Sequence, residues 1–288
     1  MFWIFSSILS ALFQATNDAF SKKVLKDNCD VYLVGWARWT FTIPFLLPML
    51  PFIHIPTLNR VFWYNILLLA PLEIIALILY IKAIKHSPLS LAIPFISFTP
   101  VFLILTSFLM LKEQPDASGL SGIFLVTLGG YLLNSHTISQ GVLEPLRCIT
   151  REKGCLLMLV VALIYSITSN LGKTAIQHSN PLFFTVFYLT FRSLVITPLV
   201  CFKIRGEFSK GVPHLKYFLL MGFSCALMFI FHSLAVNLTQ VSYMISLKRT
   251  SALISIVFGQ LFFNEMHIKE RLLGSTIMFT GVLLITLF

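Results

Sequence analysis

Residues 112–130 read KEQPDASGLSGIFLVTLGG, and residues 264–282 read NEMHIKERLLGSTIMFTGV. In both stretches a Glu is followed by Gly at positions +9 and +16, and an ungapped offset of 152 superimposes the two patterns. The matched pairs are Glu113 with Glu265, Gly122 with Gly274, and Gly129 with Gly281. Matches of Leu and Ile arise easily by chance in apolar sequence, whereas a charged residue with two glycines at fixed spacing does not. The pattern therefore predicts an internal duplication.

Further matches extend the repeat over both halves of the chain. At the same offset, Ala83 matches Ala235 and Ser90 matches Ser242. When the offset is allowed to differ by one or two residues, Arg38 matches Arg192, Pro44 matches Pro198, and Lys22 matches Lys173. The longest polar break divides the chain into a first repeat at 1–135, a connecting loop at 136–153 and a second repeat at 154–288.

The composition indicates an integral membrane protein. Hydrophobic residues make up 57% of the 288 positions and charged residues 11%, and the mean hydropathy is +0.88, whereas soluble domains carry about 25% charged residues. The apolar runs are continuous, as in transmembrane helices, and do not alternate as barrel strands do. The predicted spans are 2–24, 31–51, 61–84, 88–111, 117–135, 154–175, 181–203, 214–236, 240–263 and 269–287. The first is interpreted as a membrane helix, because it lacks the basic start and small-residue cleavage site of a signal peptide.

Five spans in each half invert the second half relative to the first, because an odd number of crossings reverses the direction of the chain. The spans must be helical, since lipid offers the backbone no hydrogen-bond partners. Inverted repeats are typical of secondary transporters, whose substrate site lies near the membrane midplane between the halves. The sequence thus predicts an all-α membrane protein of ten transmembrane helices in two inverted five-helix repeats.

Short motifs occur in a consistent order along both halves. They are Asn17-Asp18-Ala19-Phe20-Ser21-Lys22 in the first span, Ala37-Arg38-Trp39 and Phe191-Arg192-Ser193 in the second and seventh, and the two stretches quoted above. Together they resemble the drug/metabolite transporter superfamily, specifically its EamA-type ten-helix group, over essentially the whole chain. The sequence departs from the family pattern at Lys112 and Asn264, which replace a Gly, and at Asp18, where Phe is usual. The resemblance implies secondary transport, commonly export of amino acids or other small metabolites.

Ionisable residues within the bilayer are costly and are functional candidates for that reason. Those in the predicted spans are Asp18, Arg38, Glu73, Arg192, Lys248 and Arg249. Glu73 lies near the centre of the third span, where burial favours the neutral carboxyl, and we expect it to exchange protons during transport. The alternative is a structural Glu73 that is protonated or paired with Arg38 or with the Lys248-Arg249 pair.

Lys248 and Arg249 lie well inside the ninth span among Ser and Thr residues. Adjacent residues of a helix point about 100° apart, so we expect the two to serve different tasks. One is expected to face a cavity and bind an anionic group, and the other to pair with Glu73 or reach toward a helix end. Four basic residues against two acidic ones within the spans favour an anionic substrate or a zwitterion with a carboxylate.

Repeated charges at matching places suggest structural or gating tasks. Arg38 and Arg192 occupy equivalent positions and are expected to hold a helix terminus or a gate. Glu113 and Glu265 come just before the fifth and tenth spans. There a carboxylate can cap free backbone N–H groups and interact with the positive end of the helix dipole.

Two prolines and several uncharged residues complete the candidates. Pro94 and Pro100 are expected to kink the fourth span and to act as hinges. The ninth span has no matching prolines, so the halves are not expected to be mechanically equivalent. The uncharged candidates for substrate binding are Asn17, Trp39, Tyr80, Asn170, His232 and Tyr243, with Tyr165 as a further aromatic candidate. For His232 the alternative is a hydrogen-bonded contact between helices.

These observations favour a transporter over other classes of membrane protein. We expect alternating-access export of small amino-acid-like, zwitterionic or anionic metabolites across the cell membrane, with proton coupling; a membrane-embedded enzyme and a channel are the alternatives. The chain has no HExxH, Gly-x-Ser-x-Gly or P-loop motif and no CxxC spacing, so no catalysis, cofactor or metal is expected. The net charge of +10 is attributed to cytoplasmic loops. The expected partners are the substrate and the bilayer, without nucleic acid, and the protein is expected to be a monomer or homodimer.

Charge counting and the family resemblance disagree on orientation. Of the 21 Lys and Arg residues, fourteen lie in or beside the connections that follow odd-numbered spans, and three lie beside the others. The positive-inside rule then places both termini outside the cell, whereas the resemblance implies cytoplasmic termini. The charge count is the basis of our prediction.

Overall fold

The computed structural model describes residues 1–132, 152–204, 207–263 and 272–287. Every regular element within these ranges is helical, and all but one belong to ten helical segments; the remaining one is the 3-10 helix Glu207–His214, which precedes the helix Leu215–Leu238. The segments are α1 (Phe2–Lys26), α2 (Val31–Thr40, followed by Ile43–Leu46 and the 3-10 helix Leu47–Phe52), α3 (Arg60–His86), α4 (Leu89–Ala92, the 3-10 helix Ile93–Phe98, and Thr99–Leu111), α5 (Ala117–Leu132), α6 (Lys153–Gln177), α7 (Pro181–Ile204), α8 (Leu215–Leu238), α9 (Val241–Lys248 and Ser251–Phe263) and α10 (Leu272–Leu287). The predicted all-α membrane fold is confirmed.

Length and hydropathy identify most of these segments as membrane-spanning. Within the described ranges, six helices are long and apolar enough to cross a bilayer: Val31–Phe52, Arg60–His86, Lys153–Gln177, Pro181–Ile204, Gly211–Leu238 and Val241–Phe263. Three shorter helices are also apolar: Phe95–Leu111, Ala117–Leu132 and Thr276–Leu287. The first helix, α1, belongs to neither group, because one of its faces is polar.

The polar face of α1 is turned toward the protein interior. Its polar side chains, each 5% exposed or less, are Ser6, Ser7, Ser10, Gln14, Asn17, Asp18 and Ser21. Ser10 Oγ donates to the Met228 carbonyl oxygen at 3.1 Å, and Asn17 Nδ2 donates to the Met221 carbonyl oxygen at 2.7 Å. These bonds join α1 of the first half to α8 of the second half and satisfy polar groups that lipid could not.

The repeated glycines form the contact between α5 and α10. A Cβ added to Gly122 would lie 2.7 Å from the Gly281 carbonyl oxygen, and one added to Gly129 would lie 2.6 Å from the Gly274 carbonyl oxygen. The first glycine of one motif thus meets the second glycine of the other, so α5 and α10 run antiparallel. Small residues let helix backbones approach closely where lipid supplies no hydrophobic drive for association.

The two lysines of the repeat have equivalent roles. Lys22 Nζ donates to the carbonyl oxygens of Ile84 at 2.6 Å and Ser87 at 2.7 Å, at the end of α3. Lys173 Nζ donates to the carbonyl oxygen of Thr239 at 2.7 Å, at the end of α8. Ser87 and Thr239 are themselves related by the offset of 152. Each lysine therefore caps the carbonyl end of the third helix in its own half, where a cation is favoured by the helix dipole.

The prediction that Glu113 caps α5 was wrong, because Glu113 caps the start of a different helix, α9. Its carboxylate pairs with Lys173 and accepts from the Val241 N–H at 3.0 Å, at the start of α9 in the other half. Asp116 caps α5 instead, accepting from the Gly119 N–H at 2.7 Å. This bond lowers the pKa of the Asp116 carboxyl, because it favours the charged form. Glu265 lies outside the described residues.

Both fourth helices of the repeat are interrupted. Pro94 and Pro100 lie near the starts of the 3-10 helix Ile93–Phe98 and of Thr99–Leu111, the two points at which α4 changes its helix type. The helix α9 is interrupted at Arg249 and Thr250 without proline. There the Thr250 hydroxyl donates to the Leu247 carbonyl oxygen at 2.7 Å and competes with the helical ladder. The helix α9 is thus interrupted like α4 although it lacks matching prolines, and the mechanical difference between the halves stays a prediction.

We predict that Gly129→Val destabilises the α5–α10 contact. The new side chain meets backbone atoms of Gly274 and Met278, which cannot rotate away as a flexible side chain would. The expected loss is about 1–3 kcal/mol, measured by thermal unfolding of the purified protein in detergent. Phe124→Ala, at a residue that is 63% exposed on the same helix, serves as the control. Equal melting temperatures for the two variants would contradict the close contact.

Candidate functional site

A cavity lies between the two halves of the protein. The first half contributes residues of α1, α2 and α3, and the second half contributes residues of α6, α7, α8 and α9. The cavity has about 870 Å³ of empty space, including its opening to solvent. Its polar and charged lining residues are Gln14, Arg38, Glu73, Tyr80, Tyr165, Thr168, Ser169, Tyr188, His232, Lys248 and Arg249. Its aromatic walls include Trp39, Phe184 and Phe229.

Several lining residues are equivalent in the repeat. With the offset of 152, Glu73 corresponds to Cys225, Leu77 to Phe229, and Tyr80 to His232, and all six line the cavity. The cavity is therefore built around equivalent faces of α3 and α8. This is the position between inverted halves at which secondary transporters bind substrate.

Lys248 and Arg249 both line this cavity, contrary to the expectation of separate tasks. That expectation assumed a continuous helix, whereas Val241–Lys248 ends at this point and Arg249 belongs to the turn. Lys248 is 7% exposed and Arg249 is 2% exposed. Lys248 Nζ lies 3.3 Å from His232 Nδ1, and Arg249 Nε has no hydrogen-bond partner. In the described part of the chain, no carboxylate is within ion-pair distance of either residue.

Glu73 is paired, but with a different residue from those expected. Arg192 Nη1 of α7 lies 3.2 Å from Glu73 Oε2. The Arg192 guanidinium is held between the rings of Trp39 and Phe229, 4.1 Å from each ring centroid. Arg192 is fully buried behind the cavity wall, and the Glu73 side chain is 15% exposed. Aromatic faces on both sides of a desolvated cation stabilise its charge.

A second buried ion pair adjoins the cavity. Arg38 Nη1 lies 3.0 Å from Asp18 Oδ1, and the Tyr80 hydroxyl donates to Asp18 Oδ2 at 2.6 Å. Arg38 and Tyr80 line the cavity, and Asp18 lies behind them with no exposed surface. The equivalent residues Arg38 and Arg192 thus share one task, because each neutralises a carboxylate of the first half.

Six of the nine residues predicted to bind substrate line the cavity: Trp39, Glu73, Tyr80, His232, Lys248 and Arg249. The other three do not. Asn17 bonds to α8, and Asn170 Nδ2 donates to the Ser166 carbonyl oxygen at 3.0 Å within α6. The Tyr243 hydroxyl lies 3.1 Å from Asp116 Oδ1, in the α4–α5 connection. A polar residue in a span can satisfy itself locally or against a neighbouring helix, and spacing alone does not reveal which it does.

Other lining residues escaped the sequence prediction. They include Gln14, Thr168, Ser169, Tyr188, Phe229 and Met228, while Tyr165 was considered only as a further aromatic candidate. Helical spacing gave a signal for some of them, since Tyr188 precedes Arg192 by four residues and Phe229 precedes His232 by three. Among the described residues, no group of His, Cys, Asp and Glu side chains is arranged to hold a metal ion.

Comparison with protein families identifies the chain. The model of the EamA-like transporter family matches twice, at residues 1–135 and 152–287. The chain belongs to the EamA-like transporter family. This family is part of the drug/metabolite transporter superfamily, and the resemblance seen in the motifs is confirmed. The protein is thus a multi-pass membrane transporter of small molecules.

The fold agrees with this assignment. A solved crystal structure matches with a TM-score of 0.68 over 97% of this chain and 96% of that chain, at 13% sequence identity. At this level of identity the likeness concerns the fold alone. A comparison with curated proteins gave no significant match.

The Glu73–Arg192 pair yields a stability prediction. Glu73→Gln is expected to cost roughly 3–5 kcal/mol, because it leaves a buried guanidinium without its carboxylate. The double variant Glu73→Gln/Arg192→Met is expected to recover most of that loss, since Met packs between Trp39 and Phe229 without a charge. Thermal unfolding of the single and double variants in detergent measures the coupling. Strictly additive effects would show that the two side chains do not interact.

Proposed function

We propose that this protein is a secondary transporter that exports small anionic or carboxylate-bearing, amino-acid-like metabolites across the cell membrane by alternating access. The observation that carries the proposal is the cavity between the halves, with Lys248 and Arg249 in its wall and no carboxylate paired with them in the described chain. Two buried cations without acidic partners are costly to keep. A negatively charged substrate would compensate them.

The contacts at one end of the bundle support alternating access. There the α4–α5 connection of the first half meets the α8–α9 connection of the second half. Glu113 contacts Lys173 and Val241, and Gln240 Nε2 donates to the Gln114 carbonyl oxygen at 3.2 Å. Movement of one half against the other would exchange these few polar contacts, while the interrupted helices α4 and α9 absorb the change in direction. Rocking of repeats around a fixed site is the usual mechanism of such folds.

The cations yield a direct test of the cavity. Lys248→Met and Arg249→Met are each expected to lower saturable uptake of labelled carboxylates into proteoliposomes by about tenfold or more, the loss of one charged contact. Lys203→Met, at an exposed position near the end of α7, is the matched control. Normal uptake by both cavity variants would place the substrate elsewhere. Conductance that never saturates would favour a channel, and chemical conversion of the substrate would favour an enzyme.

Proton coupling is assigned in this proposal to Glu73, the carboxylate that reaches the cavity surface. We predict that Glu73→Gln abolishes the response of flux to an imposed pH gradient. Because the same change destabilises the protein, flux is normalised to the fraction of the variant that elutes as folded protein, and in that fraction exchange of labelled for unlabelled substrate without a gradient should persist. A response equal to that of the original protein would remove Glu73 from the coupling mechanism.

The direction of transport depends on the orientation in the membrane. A reporter that is active only in the cytoplasm, fused after Phe288, is expected to be inactive if the charge count is correct. An active reporter would instead establish cytoplasmic termini.

A further inference from the structure

The charges around the cavity do not balance. Arg38 is paired with Asp18, with Nη1 and Oδ1 3.0 Å apart, and Arg192 is paired with Glu73, with Nη1 and Oε2 3.2 Å apart. Lys248 and Arg249 remain, so by formal charge the described lining has two basic side chains in excess of its acidic partners. Lys248 Nζ lies 3.3 Å from the His232 ring, which supplies no negative charge.

The interruption of α9 adds to this positive character. The helix Ser251–Phe263 begins two residues after Arg249, and the amino end of a helix carries a partial positive charge. An unpaired donor lies in the same interruption. Arg249 Nε has no hydrogen-bond partner, although the residue is 98% buried. A guanidinium only donates hydrogen bonds, so this group is suited to an acceptor-rich ligand.

We propose that the transported molecule carries two negative charges close together, as a short dicarboxylate or a phosphate monoester does. This inference rests on the proposed function, because it takes the cavity as the substrate site. A monoanion would leave one buried cation uncompensated, and a zwitterion would leave the net charge of the site unchanged. The substrate's ammonium group would also have to share Glu73, which Arg192 already holds.

Burial explains why the number of charges matters here. Charges interact far more strongly inside a protein than in water, because the surroundings cannot screen them. The oxygens of a dianion would accept hydrogen bonds from Lys248 and Arg249, and charge-assisted hydrogen bonds are the stronger kind. The uncharged remainder of the substrate would contact Thr168, Ser169 and the aromatic walls.

The test compares ligands by isothermal titration calorimetry on the purified protein, at a pH above the second pKa of phosphate. The probes are three four-carbon acids of matched size, namely succinate, butyrate and 4-aminobutyrate, together with inorganic phosphate as the smaller dianion. Succinate or phosphate is expected to bind about tenfold tighter or better than butyrate and 4-aminobutyrate, which corresponds to one additional charged contact. Tighter binding of succinate than phosphate would identify the dicarboxylate form, and the reverse order would identify the phosphate form.

Variants make the test specific to charge. Arg249→Gln removes one cation and should shift the preference toward butyrate, whereas Arg249→Lys keeps both charges and should retain the preference for dianions. Lys203→Gln, near the end of α7, should change nothing. Melting temperatures confirm that each variant is folded, and Lys248→Gln provides an independent repeat if Arg249→Gln does not fold.

The outcomes separate this inference from the proposed function. Equal or tighter binding of butyrate or 4-aminobutyrate would overturn the dianion inference and leave transport through the cavity intact. The dianion inference is likewise overturned, and the proposed function retained, if none of the four probes binds while Lys248→Met still lowers carboxylate flux. Binding of dianions that is unaffected by Lys248→Gln and Arg249→Gln would also overturn it. Normal flux in the Lys248→Met and Arg249→Met variants would overturn the proposed function itself.

Discussion

Buried charge has to be compensated in a low-dielectric interior, and this constraint organises the centre of the protein. A lone ion in such surroundings costs several kcal/mol, and breaking a pair by removing one partner is strongly destabilising. The charge of Arg192 is compensated by Glu73 and by aromatic rings on both sides, although its Nε and Nη2 make no hydrogen bond. The charge of Arg38 is compensated by Asp18, which also accepts a hydrogen bond from Tyr80. The pairs hold α1 to α2 and α3 to α7, and thereby fix four helices around the cavity. Only after this pairing are the two cations of α9 seen to be in excess.

The repeat determines the scaffold through backbone contacts more than through side chains. Lysines cap the third helix of each half, and glycines bring α5 and α10 together. The lysines contact carbonyl oxygens, which any partner residue provides, whereas the close approach of α5 and α10 requires glycine on both helices. The two carboxylates that pair with the buried arginines, by contrast, both belong to the first half. Glu73 corresponds to Cys225 in the second half, and Asp18 has no acidic counterpart there. The two halves thus share the lysine and glycine contacts of the scaffold but differ in the charged residues at the centre of the protein.

The sequence predicted those features that a run of residues, or a charge within such a run, requires by itself. Apolar runs gave the spans, because the bilayer fixes their length, and charges within those runs gave Glu73, Lys248 and Arg249 as cavity residues. Partners were not accessible in this way. The choice of Arg192 for Glu73 depends on how α3 packs against α7. Asn17 and Tyr243 lie outside the cavity lining, because polar groups in spans also serve helix contacts and helix ends. The interruption of α9 was missed because it is made by Thr250 and not by a proline.

The interrupted fourth helices show how function can arise on a symmetric frame. The offset of 152 relates Lys248 and Arg249 to Ile96 and Ser97, which lie in the corresponding interruption of α4 and are fully buried. The backbone break is therefore common to both halves, while its side chains differ completely. In the first half the break is packed with an apolar residue and contributes nothing to the cavity lining, and in the second half it presents two cations to the cavity. The two interruptions therefore differ in side-chain chemistry and not in backbone architecture, and the proposed substrate site depends on that difference.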